Sequence, residues 1–210
     1  MEEHKHYIDE AVIIDDGSED ESVDICRQIL SGIPLYIIRN SVSKFSNEIE
    51  LRRQQWTETL KTNPDWILNL DADEMFEPCF RDDVKTLMHH QDIDLYCFRL
   101  YDFWDEYHYR EDEFWRAHFS YRPFLFRYQH EFNYVWKESA QHCGRFPQNI
   151  IELPTAASSD RLKHFGWADP NDRIEKYKRY KTLDVDVKHG VKGQYDSILD
   201  EAPRLMKWFE

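Results

Sequence analysis

The sequence predicts an α/β fold, a mostly parallel sheet flanked by helices, and three observations predict it. Short apolar runs alternate with segments of helical periodicity through the first 90 residues, which implies βαβ units and parallel pairing. Two of those runs end in paired acids, as strands do when they deliver side chains to one edge of a sheet. A length of 210 residues with 41% hydrophobic content is enough for one real core.

The elements follow in order. Ala11 to Ile14 is an apolar run ending at Asp15. Ser18-Glu19-Asp20-Glu21 then fits a capping box that opens a helix through about Leu30, stopped by Gly32. Pro34 to Ile38 is the second strand. Phe45, Ile49, Trp56 and Leu60 fall near one face of a helix over about 45 to 62. Trp66 to Leu70 is the third strand, and Phe80, Val84, Leu87 and Met88 mark a helix that ends near His89-His90, where a cation complements the dipole. Asp94 to Leu100 and Tyr121 to Tyr128 read as later strands. Asp169-Pro170 supplies the N-cap and first residue of a helix to about Leu183. Tyr195 to Phe209 reads as a terminal helix on the body or on a partner, which leaves a homo-oligomer open. Residues 1–168 are thus the main domain, and 169–210 a helical extension packed on it.

Charge narrows the function. Lys plus Arg number 27 against 41 Asp plus Glu, a formal charge of −14. That balance argues against a nucleic-acid binder, whose surface should be basic. Cys26, Cys79, Cys97 and Cys143 show no C-x-x-C spacing, no apolar stretch approaches the roughly 18 residues of a membrane span, and the polar N-terminus lacks a signal peptide's apolar core. The expectation is a cytoplasmic protein, with a peripheral position at the inner membrane face left open.

Two acidic motifs carry the chemistry. In "DWILNLDADEMF" (65–76) an apolar strand runs into Asp71, Asp73 and Glu74, and "AVIIDDGSED" (11–20) repeats the arrangement with Asp15 and Asp16. Ligands in open α/β sheets sit beyond the carboxyl ends of the strands, among helix N-termini. Asp71 and Asp73 are two apart, so in a continuing strand both leave on the same side and share one cation. Carboxylate oxygens suit Mg²⁺ or Mn²⁺, which keep waters and bind substrate phosphates. The plain alternatives are a solvated acidic turn at 71–74 and an ordinary Asp-Gly turn at Asp16-Gly17.

"AVIIDDGSEDES" resembles the DDGS-x-D strand and turn of family 2 glycosyltransferases, and "WILNLDADEMF" resembles their D-x-D strand at about the expected separation. The resemblance covers residues 11 to 78 and implies a GT-A fold with a Rossmann-type sheet, a nucleotide-diphosphate sugar donor and a divalent metal. By that likeness Asp15 and Asp16 meet the nucleoside, while Asp71 and Asp73 meet the ribose-diphosphate and the metal. "RLKHFGW" (161–167) is similar to the histidine segment that follows the acceptor region, which makes His164 a metal or diphosphate contact; a buried, hydrogen-bonded histidine is the bland reading. Family members normally begin with one more strand and helix. Only ten residues precede Ala11, so the fold is expected to be N-terminally short.

The segment 101–124, rich in aromatics and charge, is where an acceptor carbohydrate or glycoconjugate is expected, although its rings could simply cover the sheet. An inverting transfer needs a base for the acceptor hydroxyl. Asp112 is the leading candidate, with Asp105, Glu106, Glu138 and His142 as rivals. The resemblance further implies surface polysaccharide or glycoconjugate synthesis. Two other classes stay open: a haloacid-dehalogenase-like phosphatase, with Asp71 as nucleophile, and a non-catalytic nucleotide-sugar-binding module.

Overall fold

The parallel βαβ unit expected at the N-terminus is present. In the computed structural model, β1 (Ala11–Asp15) pairs in parallel with β2 (Leu35–Arg39), in register from Ala11 opposite Leu35 to Asp15 opposite Arg39. The structure describes residues 2–188 and 190–210. The chain divides into two units interleaved along the sequence. The first holds 1–69, 78–95 and 125–155; the second holds 70–77, 96–124 and 156–210.

In the first unit, α1 (Ser22–Ile29) connects β1 to β2. It starts three residues later than the capping box predicts, with Glu21 rather than Ser18 at the N-cap. The Ser18 N–H donates to Asp15 Oδ1 at 3.1 Å and Ser22 N–H to Asp20 Oδ1 at 3.0 Å. Such side-chain turns compete with helix initiation, and Gly17 at φ +91° continues the turn in a conformation few other residues adopt. A 3-10 turn at Phe45–Asn47 leads into α2 (Glu48–Leu60). Trp56 of α2 stacks on Phe126 with centroids 5.7 Å apart and meets the ring edges of Tyr134 and Trp136. The third strand, β3 (Trp66–Leu68), is two residues shorter than expected. In α3 (Phe80–His89), Phe80 and Val84 are buried, and Tyr7 packs edge-on against Phe80. Residues 125–127 pair antiparallel with β3, Trp66 opposite Arg127.

The second unit holds β4 (Glu74–Phe76), most of β5 (Leu95–Asp102), β6 (His108–Arg110), the first half of β7 (Tyr121–Arg127), β8 (Thr155–His164), α4 (Pro170–Leu183), α5 (Lys192–Asp196) and β9 (Leu205–Lys207). Its strand order is β7-β5-β8-β4, with β4 antiparallel to β8. The central β5 is nearly continuously buried, as a strand covered on both faces must be. Phe76, Phe98 and Phe124, all fully buried, meet edge to face at 4.9 to 6.5 Å. β1 and β2 pair in parallel, and the pairs made by β3, β4 and β6 are antiparallel; β5 runs in the same direction as its neighbour β8, with Leu95 N–H on Pro154 O near their starts and Phe103 N–H on His164 O at their ends.

Asp169 caps α4 by accepting from Asn171 N–H at 2.6 Å, and Pro170 is its first residue, as predicted. The terminal helix is corrected. Helix α5 gives way to a 3-10 turn at Ser197–Leu199, and the chain ends in β9, antiparallel to β6. Pro203 cannot continue a helix, and Trp208 finds its burial against Tyr101, Phe103 and the Arg161 guanidinium. A second core of Trp104, Trp115, Trp167, Tyr195 and Ile198 sits under α4 and α5.

Candidate active site

The D-x-D residues lie in a turn, not in a continuing strand. Glu74 N–H donates to Asp71 O at 3.0 Å, and Asp71 N–H donates back to Glu74 Oε2 at 2.8 Å. Buried Glu74 thus closes the turn. Asp71 and Asp73 are not presented on one strand face as expected; the turn resets the chain, and β4 begins at Glu74.

The ladder between β4 and β8 then fixes what Asp73 meets. Glu74 lies opposite His164, and Phe165 N–H donates to Asp73 O at 2.7 Å. His164 Nε2 comes within 3.5 Å of Asp73 Oδ2, while its Nδ1 is 2.8 Å from Asp102 Oδ1. Asp102 ends β5, the neighbour of β8. A carboxylate on one imidazole nitrogen sets the ring and leaves the other nitrogen to face a ligand.

Lys176 of α4 completes the cluster. Its Nζ donates to Gly166 O at 2.6 Å and lies 3.4 Å from Asp73 Oδ2 and 4.8 Å from the Trp167 ring centroid. Arg173, three residues earlier and so on the same helix face, donates to Trp104 O at 2.8 Å and Trp167 O at 2.5 Å. Those bonds tie α4 to the tryptophan core and set the reach of Lys176. A Cβ on Gly166 would collide with Asp73 Oδ2, Lys176 Nζ and His164 Nε2 at once, so glycine is required to keep the cradle open.

The electrostatics follow from this packing. Burial opposes charge on His164, but its hydrogen bonds to Asp102 and Asp73, together with their charges, pull its pKa up to about 10. Burial likewise pushes Asp73 up, and the hydrogen bond and charge of His164, then the charge of Lys176, more than offset this and hold it well below the usual carboxylate range. Asp73 Oδ2 and His164 Nε2 are close enough to be adjacent ligands of one cation with bonds of about 2.1 Å. The donor set, one carboxylate and one imidazole, is one that a divalent first-row metal ion accepts.

The first unit treats its acids differently. Asp16 accepts from Asn40 Nδ2 at 2.7 Å, Ser43 Oγ at 2.6 Å and Lys44 N–H at 2.9 Å. Burial raises its pKa, and these donors bring it below the usual range. Asp15 is buried against Arg39 Nε at 2.9 Å. The Asp16 carboxylate orders the 40–44 loop that follows β2, whereas the Asp15 side chain holds Ser18 and Arg39 and meets that loop only through its carbonyl, which accepts from Asn40 N–H at 2.8 Å. The expectation that the two acidic strands share one sheet is corrected: β1 pairs with β2 in a sheet of their own, and β3 pairs with β7.

Asp112, the base expected from the sequence, is held by side-chain and backbone donors. Its Oδ2 takes Arg110 Nε at 2.6 Å, and its Oδ1 takes the N–H groups of Phe114 and Trp115 at 3.0 and 3.2 Å. Both oxygens are engaged in holding a turn. Among the rivals, Asp105 is bound by His108 and by the N–H groups of Tyr107 and His108, and Glu138 pairs with Arg53. His142 is in the first unit, with its N–H on Glu48 Oε2. Beyond the Asp112 turn, Glu113, Phe114, Arg116, Phe119 and Arg122 line an open cavity of about 700 Å³.

Asp102, Lys176 and Gly166 were not singled out from the sequence, and Glu74 was read with Asp71 and Asp73 but given no role of its own. Glu74 had a readable signal, since it stands three residues beyond Asp71 at a strand end. Asp102 and Lys176 had none, being 62 and 12 residues from His164 in the chain.

No curated protein sequence matches the chain. Among solved structures it is similar to S. aureus TarS residues 1–349, with 14% identity, a TM-score of 0.50, and coverage of 90% of this chain and 60% of that one. It is also similar to a longer S. aureus TarS structure, with 13% identity, a TM-score of 0.51, and coverage of 95% of this chain and 39% of that one. The chain therefore spans at most about 60% of those two structures, and the likeness is one of fold. No helix among the described residues is long and apolar enough to cross a membrane. Residues 2–151 match the model of Glycosyl transferase family 2, and the chain belongs to that family.

Proposed function

We propose that the chain binds a nucleotide-diphosphate sugar with Mn²⁺ or Mg²⁺ and transfers the sugar, with inversion, to a hydroxyl of a carbohydrate or glycoconjugate acceptor. The observation that carries this reading is the meeting of Asp73 Oδ2 and His164 Nε2 at 3.5 Å, backed by Asp102 and opened by Gly166. Family membership points the same way and leaves the phosphatase alternative without support.

In this reading Asp73 and His164 hold the cation, which when bound supplies Lewis-acid stabilisation to the departing diphosphate. Asp102 fixes the imidazole so that Nε2 faces the cation. Glu74 holds the 71–74 turn, and with it the Asp71 carboxylate on the ribose-diphosphate side. Asp15, through its carbonyl, and Asp16, through its carboxylate, serve the nucleoside by shaping the 40–44 loop. The cavity at 113–122 takes the acceptor, its rings offering faces to sugar and its arginines offering donors to hydroxyl or anionic groups. Asp112 holds the turn at the edge of that cavity. Surface polysaccharide or glycoconjugate synthesis is the role this chemistry fits.

The test is calorimetric titration with UDP, GDP, ADP and CDP, with and without Mn²⁺, on the natural chain and on Asp73→Ala. Nucleotide binding should need Mn²⁺ and drop at least tenfold in the variant, the loss expected for one charged ligand. Binding that is indifferent to both the metal and the substitution overturns the reading. A chain that binds nucleotide and Mn²⁺ yet neither transfers nor hydrolyses a donor sugar is a binding module.

A further inference from the structure

Lys176 stands where a second cation should be unwelcome. Its ammonium lies 3.4 Å from the carboxylate oxygen that would ligate the metal, and a collision with the same Gly166 Cβ marks it as part of one cradle with His164 Nε2. The contact is longer than a charge-assisted hydrogen bond, which runs to about 2.9 Å. The tight bond of Lys176 is to Gly166 O at 2.6 Å. Its charge is therefore parked beside Asp73, held by a neighbour's carbonyl and by the face of Trp167, and not locked on the carboxylate. The helix that carries it is fixed by Arg173.

We propose that Lys176 makes divalent-cation binding and nucleoside-diphosphate binding depend on each other. With no ligand, the ammonium shares the Asp73 carboxylate with the His164 imidazolium. A divalent ion on Asp73 must displace it or sit beside it, and like charges a few ångströms apart in a partly enclosed site repel strongly. A diphosphate removes that conflict by giving both cations an anion to share. Metal alone thus binds weakly and metal with diphosphate binds well; by linkage each tightens the other by the same factor. This rests on Asp73 being a metal ligand, as proposed above. It adds that a residue outside the 2–151 family match sets the order and strength of loading.

The experiment is Mn²⁺ titration, followed by electron paramagnetic resonance of free Mn²⁺, with and without saturating UDP or GDP. It is run on the natural chain, Lys176→Met, Lys176→Gln and Asp73→Ala. Gln keeps a donor for Gly166 O without the charge, and thermal melts verify that each variant is folded. In the natural chain UDP or GDP should tighten Mn²⁺ at least tenfold. Both Lys176 variants should bind Mn²⁺ alone on the order of tenfold more tightly, with the coupling to nucleotide reduced by the same factor. Unchanged Mn²⁺ affinity in both variants, while Asp73→Ala abolishes binding, overturns the role of Lys176 and leaves the metal site standing. Mn²⁺ binding that survives Asp73→Ala overturns both.

Discussion

Raising the pH should weaken the metal-free fold by discharging His164, and the size of the effect follows from its partners. The imidazole enters folding with an ordinary value near 6.5 and is held at about 10 in the native chain, where Asp102 at 2.8 Å and Asp73 at 3.5 Å offset the cost of its burial. Because the folded value is the higher one, the contribution to stability is complete below about pH 6.5 and is lost as pH rises through about 10. At about 1.4 kcal/mol per unit the ceiling is roughly 5 kcal/mol. The Asp73 side chain is 38% exposed, so solvent screens its share and about 2 to 3 kcal/mol is the expected size. Urea unfolding of the natural chain and of His164→Gln across pH 6 to 10 isolates the term, since other titrating groups cancel in the difference. The gap should shrink by about 2 to 3 kcal/mol over that range. The same protonation opposes metal, so Mn²⁺ affinity should rise by up to about tenfold per pH unit below 10, with about one proton released per ion bound. A stability gap that stays flat with pH, together with no proton release, refutes the charged imidazole.

Three further outcomes test the packing. Arg110 is 1% exposed, pairs with Asp112 and Asp200, and lies over Trp104 and Trp115. Arg110→Ala should cost about 3 kcal/mol, the low end for breaking a buried pair because both carboxylates reach solvent. A calorimetric melt should record this as a fall in Tm of about 6 to 12 °C; a fall under about 2 °C contradicts it. Gly166→Ala should leave the fold within about 1 to 3 kcal/mol yet reduce Mn²⁺-dependent nucleotide binding at least tenfold, since the methyl meets side-chain ends that can move only by abandoning the cradle. Asp16→Ala should free the 40–44 loop, read as faster amide exchange at Lys44, whose N–H it accepts, with Mn²⁺-alone affinity unchanged.

What the sequence disclosed depended on the range of the interaction. The βαβ start, the Asp169-Pro170 cap and the acidic strand ends are local signals, and each stands at or near its predicted place. The misreadings have local competitors. Ser18 was offered a helix by its capping box and took an Asx turn on Asp15 instead. Tyr195 to Phe209 carries apolar residues at helical spacing, but Pro203 and the open edge of β6 turn its end into a strand. His164 was identified by resemblance, whereas its partner Asp102 and its neighbour Lys176 depend on β5-β8 adjacency and on the seating of α4. Those are tertiary facts that no spacing within the chain encodes.

The two acidic motifs look alike on paper and are distinguished by what satisfies them. Asp16 is filled by uncharged donors and the backbone, at 2.6 to 2.9 Å, all supplied by the loop it organises. Each of them ties the part-buried carboxylate to the loop, so removing one loosens that segment. Asp73 Oδ2 is instead faced by two cationic side chains at 3.4 and 3.5 Å, at the long end of the hydrogen-bond range and each bound more closely elsewhere. A carboxylate kept ionised by charges that are near but not committed can exchange them for a divalent ion at little structural cost. That difference, rather than the count of acids, singles out the D-x-D turn as the place where a ligand is to be looked for.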